Sequence, residues 1–95
     1  MALRARLLVH GNVQGVNYRW LVQEAAKSLG VRGWVRNLDG GDVEILCESD
    51  TEKAYREFLK TIEIKDKMRR VERIEILEFS KNAEPEFKYF AIEYR

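Results

Sequence analysis

A glycine-containing stretch near the start of the chain most constrains what this sequence can fold into. Residues 11–19 read GNVQGVNYR and lie between an apolar strand-like run and a helix-like run. Gly11 and Gly15 allow the backbone to curl with its N–H groups pointing inward, and Arg19 falls at the start of the predicted helix. Backbone N–H groups, a helix N-terminus and a guanidinium together form a site for a phosphate-sized anion. We call residues 11–19 the glycine loop.

The glycine loop is not one of the common nucleotide-binding motifs. It lacks the Gly-Lys-Ser/Thr ending of a P-loop and the three-glycine spacing of a dinucleotide-binding fold. Most glycine pairs between a strand and a helix only change the direction of the chain. Taken alone, the segment is therefore as compatible with a plain turn as with an anion site.

The composition predicts one domain over residues 1–95. Hydrophobic residues make up 45% of the chain, which favours a packed core over disorder. The 17 Lys and Arg residues nearly balance the 16 Asp and Glu residues, so the net charge of +1 favours neither nucleic acid nor a membrane as partner. There is no long apolar run and no signal-peptide pattern, so the cytoplasm is the expected location. The single cysteine, Cys47, excludes an internal disulfide and a multi-cysteine metal site.

Hydrophobic periodicity predicts an alternation of strands and helices. Ser49 and Glu52 have the spacing of a capping box and predict the start of the second helix. The predicted elements are a strand over Leu3–Val9, a helix from Tyr18 ended by Gly30, strands over Val31–Asn37 and Asp42–Glu48, a helix with Ala54, Phe58 and Ile62 on one stripe, a charged connection over Glu63–Arg70, a strand over Val71–Phe79, a loop over Ser80–Glu86 and a strand over Phe87–Tyr94. This order predicts an α+β, ferredoxin-like βαββαβ sandwich, a mostly antiparallel sheet with two helices on one face and an extra C-terminal strand.

Two separate motifs resemble those of the acylphosphatase family. The glycine loop matches the pattern G-x-V-Q-G-V-x-[FY]-R, and residues 33–37, GWVRN, resemble the second motif, G-[WY]-V-x-N. Residues 90–92 match the F-x-I near the end of the family's sequences, so the resemblance covers nearly the whole chain. The connection over residues 63–70 departs from the family, which often has a Gly-Pro there.

The resemblance implies hydrolysis of a small-molecule acyl phosphate to a carboxylate and inorganic phosphate, with no cofactor and no metal, by a monomer. By motif position, Arg19 would bind the phosphoryl oxygens and Asn37 would orient the attacking water. Together with Arg19, the residues that would bind phosphate do so through their backbone N–H groups and are Asn12, Val13, Gln14, Gly15, Val16, Asn17 and Tyr18. Asn37 shares strand parity with Val35, so its side chain is expected on the helix-covered face at the end of the strand.

Each candidate residue also has a structural interpretation. Asn37 would equally terminate a strand, and Gln14 would brace the loop. His10 is interpreted as solvated or bonded to the loop, and Trp20 and Trp34 are interpreted as packing residues. The basic segment 65–70 is interpreted as a solvated loop, since the aromatic signature of RNA-binding sheets is absent.

A function from a different class also remains, a non-catalytic module that binds an anion in the same loop. The presence of both Arg19 and Asn37 favours the enzyme.

Overall fold

The structure is a computed structural model and describes residues 1–94. Within those residues, no helix has the length and apolar character needed to cross a membrane. The elements in chain order are β1 (Ala2–Asn12), α1 (Tyr18–Leu29), β2 (Arg32–Asn37), β3 (Val43–Ser49), α2 (Glu52–Ile62), β4 (Arg70–Ala83) and β5 (Phe90–Glu93).

The strands form a single five-stranded sheet in the order β4-β1-β3-β2-β5. Strand β1 pairs antiparallel with β3 and β4, and β2 pairs antiparallel with β3. Strand β5 runs parallel to β2 and forms an edge. Both helices pack together on one face, with α1 against β2 and β5 and α2 against β3. The ferredoxin-like α+β prediction with an extra C-terminal strand is confirmed.

The core lies between the sheet and the two helices. In β1 the buried side chains of Ala5, Leu7 and Val9 alternate with partly exposed ones, as expected for a strand with one buried face. Val22 of α1 and Phe58 of α2 are fully buried against them. Removing this apolar surface from water is the main favourable term in the stability of the fold.

Gly33 allows β2 and β3 to approach closely. Its φ of 136° lies outside the range that other residues adopt easily, and a Cβ there would overlap the carbonyl oxygen of Leu46. The pairing of β2 with β3 continues from Gly33 to Asn37, which lies opposite Val43. It therefore positions the end of the strand that carries the second motif.

The predicted capping box of Ser49 and Glu52 is wrong. Ser49 is the last residue of β3, and its hydroxyl donates to the carbonyl of Thr51 at 3.0 Å. Thr51 is the N-cap instead, with its Oγ1 accepting from the N–H of Ala54 at 3.1 Å. Strand β3 keeps Ser49 because that residue still pairs with Leu3 of β1.

Strand β4 is longer than predicted, and β5 is shorter. The segment predicted as a loop from Ser80 continues β4 to Ala83, because β1 is long enough to pair with it, through several bulges, back to Ala2. The predicted last strand from Phe87 begins only at Phe90, where pairing with β2 starts.

Two buried carboxylates lie on the face of the sheet that the helices do not cover. The Glu48 side chain is fully buried and accepts hydrogen bonds from Arg4 at 2.7 Å and from the N–H groups of Glu86 and Phe87 at 3.1 and 3.2 Å. Burial alone would raise the pKa of Glu48, but these hydrogen bonds outweigh it and hold the pKa below its ordinary value. Glu48 thereby fixes the segment that leads into β5.

Glu44 lies four residues before Glu48 on the same face of β3 and has the same kind of environment. It bridges Arg6 and Arg36, each at 2.7 Å, and the Arg36 guanidinium carbon lies 5.0 Å from the centre of the Trp34 ring. Burial would raise the pKa of Glu44, but its two arginine partners lower it overall. Trp34 is partly exposed on this face, where it packs against Arg36.

Candidate active site

Only residues 13–17 of the glycine loop curl, because Tyr18 and Arg19 already belong to α1. Gly11, expected to help the curl, instead lies in β1, where it pairs with Val71. Gly15 has a φ of 74°, and Asn17, directly before α1, has a φ of 61°. Among residues 1–94, Asn17 alone adopts a positive φ without being glycine. Asparagine is one of the residue types that tolerate this left-handed conformation best. Such left-handed residues turn successive N–H groups to one side and form a concave donor surface.

The N–H groups of this concave surface are available to a ligand. Within the described chain, the N–H groups of residues 13–20 donate to no other backbone or side-chain group, and the first bond of α1 comes from Leu21 to the carbonyl of Asn17 at 3.2 Å. Unpaired donors at a helix N-terminus favour an anion through hydrogen bonding and the helix dipole.

A cleft of about 360 Å³ opens beside the glycine loop. Four parts of the chain line it: the loop with the first turn of α1, the end of β2, the connection between α2 and β4, and the C-terminal strand region. Its lining residues are Val13, Gly15, Val16, Asn17, Tyr18, Arg19, Trp20, Asn37, Met68, Ile92 and Tyr94. The two sequence motifs therefore meet at one cleft.

Arg19 is held in the cleft by the C-terminal strand region. Its Nη1 donates to the carbonyl of Glu93 at 3.1 Å, and its guanidinium carbon lies 4.6 Å from the centroid of the Tyr94 ring. A cation over an aromatic face at this distance is attracted by the ring. These contacts use one N–H and one face of the guanidinium, and its fork retains further donors for an anion.

Asn37 has a free acceptor at the same cleft. It is the last residue of β2, and its Oδ1 is buried without a hydrogen-bond partner among the described residues. Leaving a buried amide oxygen unpaired costs about 1–3 kcal/mol, which a bound water or ligand donor would recover. An asparagine amide orients such a donor but takes no proton from it at neutral pH.

Two residues of the predicted phosphate site, Asn12 and Gln14, do not line the cleft. The Asn12 amide donates to the carbonyl of Met68 at 3.0 Å. The Gln14 amide donates to the carbonyls of Leu38 at 2.7 Å and Asp42 at 2.8 Å. Both side chains therefore tie the glycine loop to neighbouring segments, as the bracing interpretation of Gln14 expects.

Tyr18 anchors the glycine loop to the core of the protein. Its ring is buried, and its hydroxyl donates to the carbonyl of Ile62 at the end of α2, at 2.8 Å. Burial, and to a lesser extent the charge of Glu63, raise the pKa of Tyr18, so the phenol stays neutral.

The lone histidine lies outside the cleft. His10 Nδ1 is 3.0 Å from a carboxylate oxygen of Asp42, and Nε2 is 3.1 Å from one of Glu75 and 3.2 Å from Arg73. In the part of the chain that the structure describes, no group of three or more His, Cys, Asp or Glu side chains is placed to hold a metal ion.

The sequence interpretation missed four residues of the cleft, which are Trp20, Met68, Ile92 and Tyr94. Trp20, interpreted as a packing residue, has 56% of its surface exposed, because it follows Arg19 and lies off the buried stripe of α1. The position of Trp20 outside the buried stripe was the sequence signal that it is exposed and not a packing residue. Met68 lies in the charged connection, where no local pattern marked it; the fold brings it to the cleft.

Comparison with known proteins relates this fold and its cleft to one family. The family model for acylphosphatase matches residues 5–92. An acylphosphatase of Koribacter versatilis is 41% identical over 92 residues, covering 93% of this chain and 77% of that protein. An acylphosphatase of Thermococcus kodakarensis is 51% identical over 51 residues, covering 54% of this chain and 56% of that protein, so the match spans about half of each.

A solved structure agrees with the fold. The crystal structure of an acylphosphatase from Bacillus subtilis superposes with a TM-score of 0.86 and 35% sequence identity, covering 97% of this chain and 99% of that chain.

Proposed function

Because the chain belongs to the acylphosphatase family, we propose that it hydrolyses acyl phosphates. In this reaction the oxygen of a water molecule forms a new bond to phosphorus as the bond from phosphorus to the acyl oxygen breaks. The carboxylate leaves with the bonding electron pair, and the products are a carboxylate and a dihydrogen phosphate ion that carries both hydrogens of the water. The proposed reaction uses no cofactor and no metal, and the chain acts on a small-molecule substrate as a monomeric single domain.

The observation that carries the proposal is the meeting of free loop N–H groups, Arg19 and Asn37 at one cleft. We assign the N–H groups of the cleft-lining loop residues, Val13 and residues 15–18, and the Arg19 guanidinium to the phosphoryl oxygens. The transition state of phosphoryl transfer spreads charge over these oxygens, so fixed donors aimed at them lower the barrier. Arginine suits this role because its planar fork binds two oxygens at once.

We assign the attacking water to the Oδ1 of Asn37, which is buried and has no hydrogen-bond partner among residues 1–94. The amide orients the water, and a phosphate oxygen of the substrate accepts the proton, since an amide does not act as a base at neutral pH. A carboxylate leaves readily without protonation. A cleft with no acidic or histidine side chain among its lining residues is therefore sufficient for this chemistry.

Two measurements on the same preparation separate the enzyme from a non-catalytic anion-binding module. Phosphate release from benzoyl phosphate is measured with and without a metal chelator, alongside binding of inorganic phosphate by calorimetry. We expect turnover that the chelator does not change. Phosphate binding without turnover would support the module, and loss of turnover in chelator would contradict the metal-free reaction. Size-exclusion chromatography during the same preparation tests the monomer.

A further inference from the structure

The mouth of the cleft carries three large, exposed apolar side chains. Trp20, Met68 and Tyr94 have exposed fractions of 56%, 60% and 76%, and all three line the cleft. They come from α1, from the connection before β4 and from the residue after β5. Exposed apolar side chains that converge from separate elements on one cleft mark a binding surface. We call these three residues the apolar rim.

Met68 is fixed in place by the glycine loop itself. Its carbonyl accepts from the Asn12 amide at 3.0 Å, which links the connection to the end of β1. Its N–H donates to Asp66 Oδ1 at 2.9 Å, and the same oxygen accepts from the N–H of Arg69 at 2.7 Å. These bonds hold the backbone of Met68 in a tight turn, so its side chain projects from a defined position.

The cleft is divided by chemistry into two parts. The glycine loop and Arg19 offer donors and positive charge, whereas the apolar rim offers mainly apolar and aromatic surface, its polar groups being the Tyr94 hydroxyl and the Trp20 indole N–H. An acyl phosphate is divided in the same way, with an anionic phosphoryl group at one end and a carbon chain or ring at the other. The volume of about 360 Å³ is in the range of pockets that bind whole small molecules.

We infer that the apolar rim binds the acyl group, so that the protein prefers acyl phosphates with bulky apolar acyl groups to acetyl phosphate. The inference rests on the proposed function. Methionine suits such a rim because its unbranched thioether adapts to ligands of different shape, and Trp20 adds a rigid flat surface. Burying methylene groups of the substrate against these side chains supplies the selectivity.

The test compares acetyl, butanoyl and hexanoyl phosphate. The three parent acids have nearly equal acidity, so the leaving group is matched and the length of the acyl chain is the variable. We expect kcat/KM to rise about 10-fold from acetyl to hexanoyl phosphate, since each methylene is only partly buried at an open rim.

Substitutions in the apolar rim measure how much it contributes to the preference for the longer acyl chain. In Met68→Ala and in Met68→Gln, which keeps the length but is polar, the hexanoyl to acetyl ratio of kcat/KM falls about 3- to 5-fold. Trp20→Ala lowers the ratio as well and gives an independent second variant. The matched control is Ile76→Ala, an apolar residue of β4 with 51% exposure outside the cleft, which leaves the ratio unchanged.

The outcomes separate this inference from the proposed function. A wild-type kcat/KM that is equal across the three substrates, or a ratio that no rim variant lowers, overturns the acyl-group assignment while the hydrolase stands. Absence of turnover with all three substrates overturns the proposed function, and the acyl-group assignment falls with it.

Discussion

The side-chain amide of Gln14 donates a 2.7 Å hydrogen bond to the carbonyl of Leu38, the residue that directly follows Asn37. A second bond, to the carbonyl of Asp42 at 2.8 Å, joins the same amide to the other side of the β2–β3 turn. Gln14 therefore sets the distance between the free N–H groups of the glycine loop and the side-chain amide of Asn37 at the end of β2.

We expect Gln14→Ala to lower kcat/KM about 10-fold, because reacting groups lose rate steeply when they are displaced by a fraction of an ångström. The variant should remain folded, since it removes two hydrogen bonds worth about 1 kcal/mol each. Steady-state kinetics with benzoyl phosphate and thermal melting check both parts. An unchanged kcat/KM would show that the loop keeps its position without Gln14.

Arg19→Ala is expected to lower kcat/KM about 100- to 1000-fold, as loss of a charge-stabilising donor does in other active sites. Arg19→Lys should recover only part of this loss, because lysine keeps the charge but not the planar fork. The control is Arg56→Ala on α2, which removes an exposed arginine paired with Glu52. Equal kcat/KM for Arg19→Ala and Arg56→Ala would show that Arg19 does not stabilise the phosphoryl group.

Asn37→Ala should separate activity from stability. We expect kcat to fall about 100-fold with little change in KM, since Asn37 is assigned to the water and not to the substrate. The melting temperature should stay equal or rise, because the change removes a buried amide oxygen that lacks a partner. Asn82→Ala, an exposed asparagine of β4, is the matched control for both measurements. Strong destabilisation of Asn37→Ala would favour the interpretation of Asn37 as a strand terminator.

Glu48→Gln is expected to destabilise the protein at neutral pH by about 2 kcal/mol, somewhat less than the removal of one partner from a fully buried ion pair, because Arg4 is partly solvated. For a domain of this size that corresponds to a fall of about 10 °C in melting temperature. Thermal melting of both proteins at pH 7 measures the difference. Glu78→Gln, which changes an exposed glutamate that pairs with Arg6, is the control and should shift the melting temperature little.

The contribution of Glu48 to the stability of the folded protein should also depend on pH. Its pKa is lowered in the fold, so the folded protein binds fewer protons there than the unfolded chain. The stabilisation is therefore fully present above the ordinary glutamate pKa of 4.5 and is lost as the pH falls through the lower folded value. Melting curves from pH 7 to acid should show the wild type approaching Glu48→Gln. A difference that grows on acidification would contradict this assignment.

Local periodicity was sufficient to predict the order of the elements and the face of β2 on which Asn37 lies, whereas the resemblance to the family singled out Arg19 and Asn37 as residues of one site. Helix and strand periods differ, and Asn37 shares parity with the buried Val35, so the sequence indicated both the element and the face. These features depend on neighbours in the chain. They are therefore visible without knowledge of the fold.

The features that the sequence did not predict depend on partners far along the chain. Met68 reaches the cleft through bonds to Asp66 and to the distant Asn12, and its own segment contains no glycine or proline to mark a turn. The extension of β4 to Ala83 depends on the length of β1. Thr51 displaced Ser49 as the cap because β3 retained Ser49 for pairing.

The bond from Arg19 to the carbonyl of Glu93 joins residues 74 positions apart. During synthesis the ribosome delivers the arginine long before the strand that holds it. Until β5 has paired with β2, this arginine lacks the carbonyl and the ring that hold it. The geometry of Arg19 at the proposed site is thus complete only when β5 has docked.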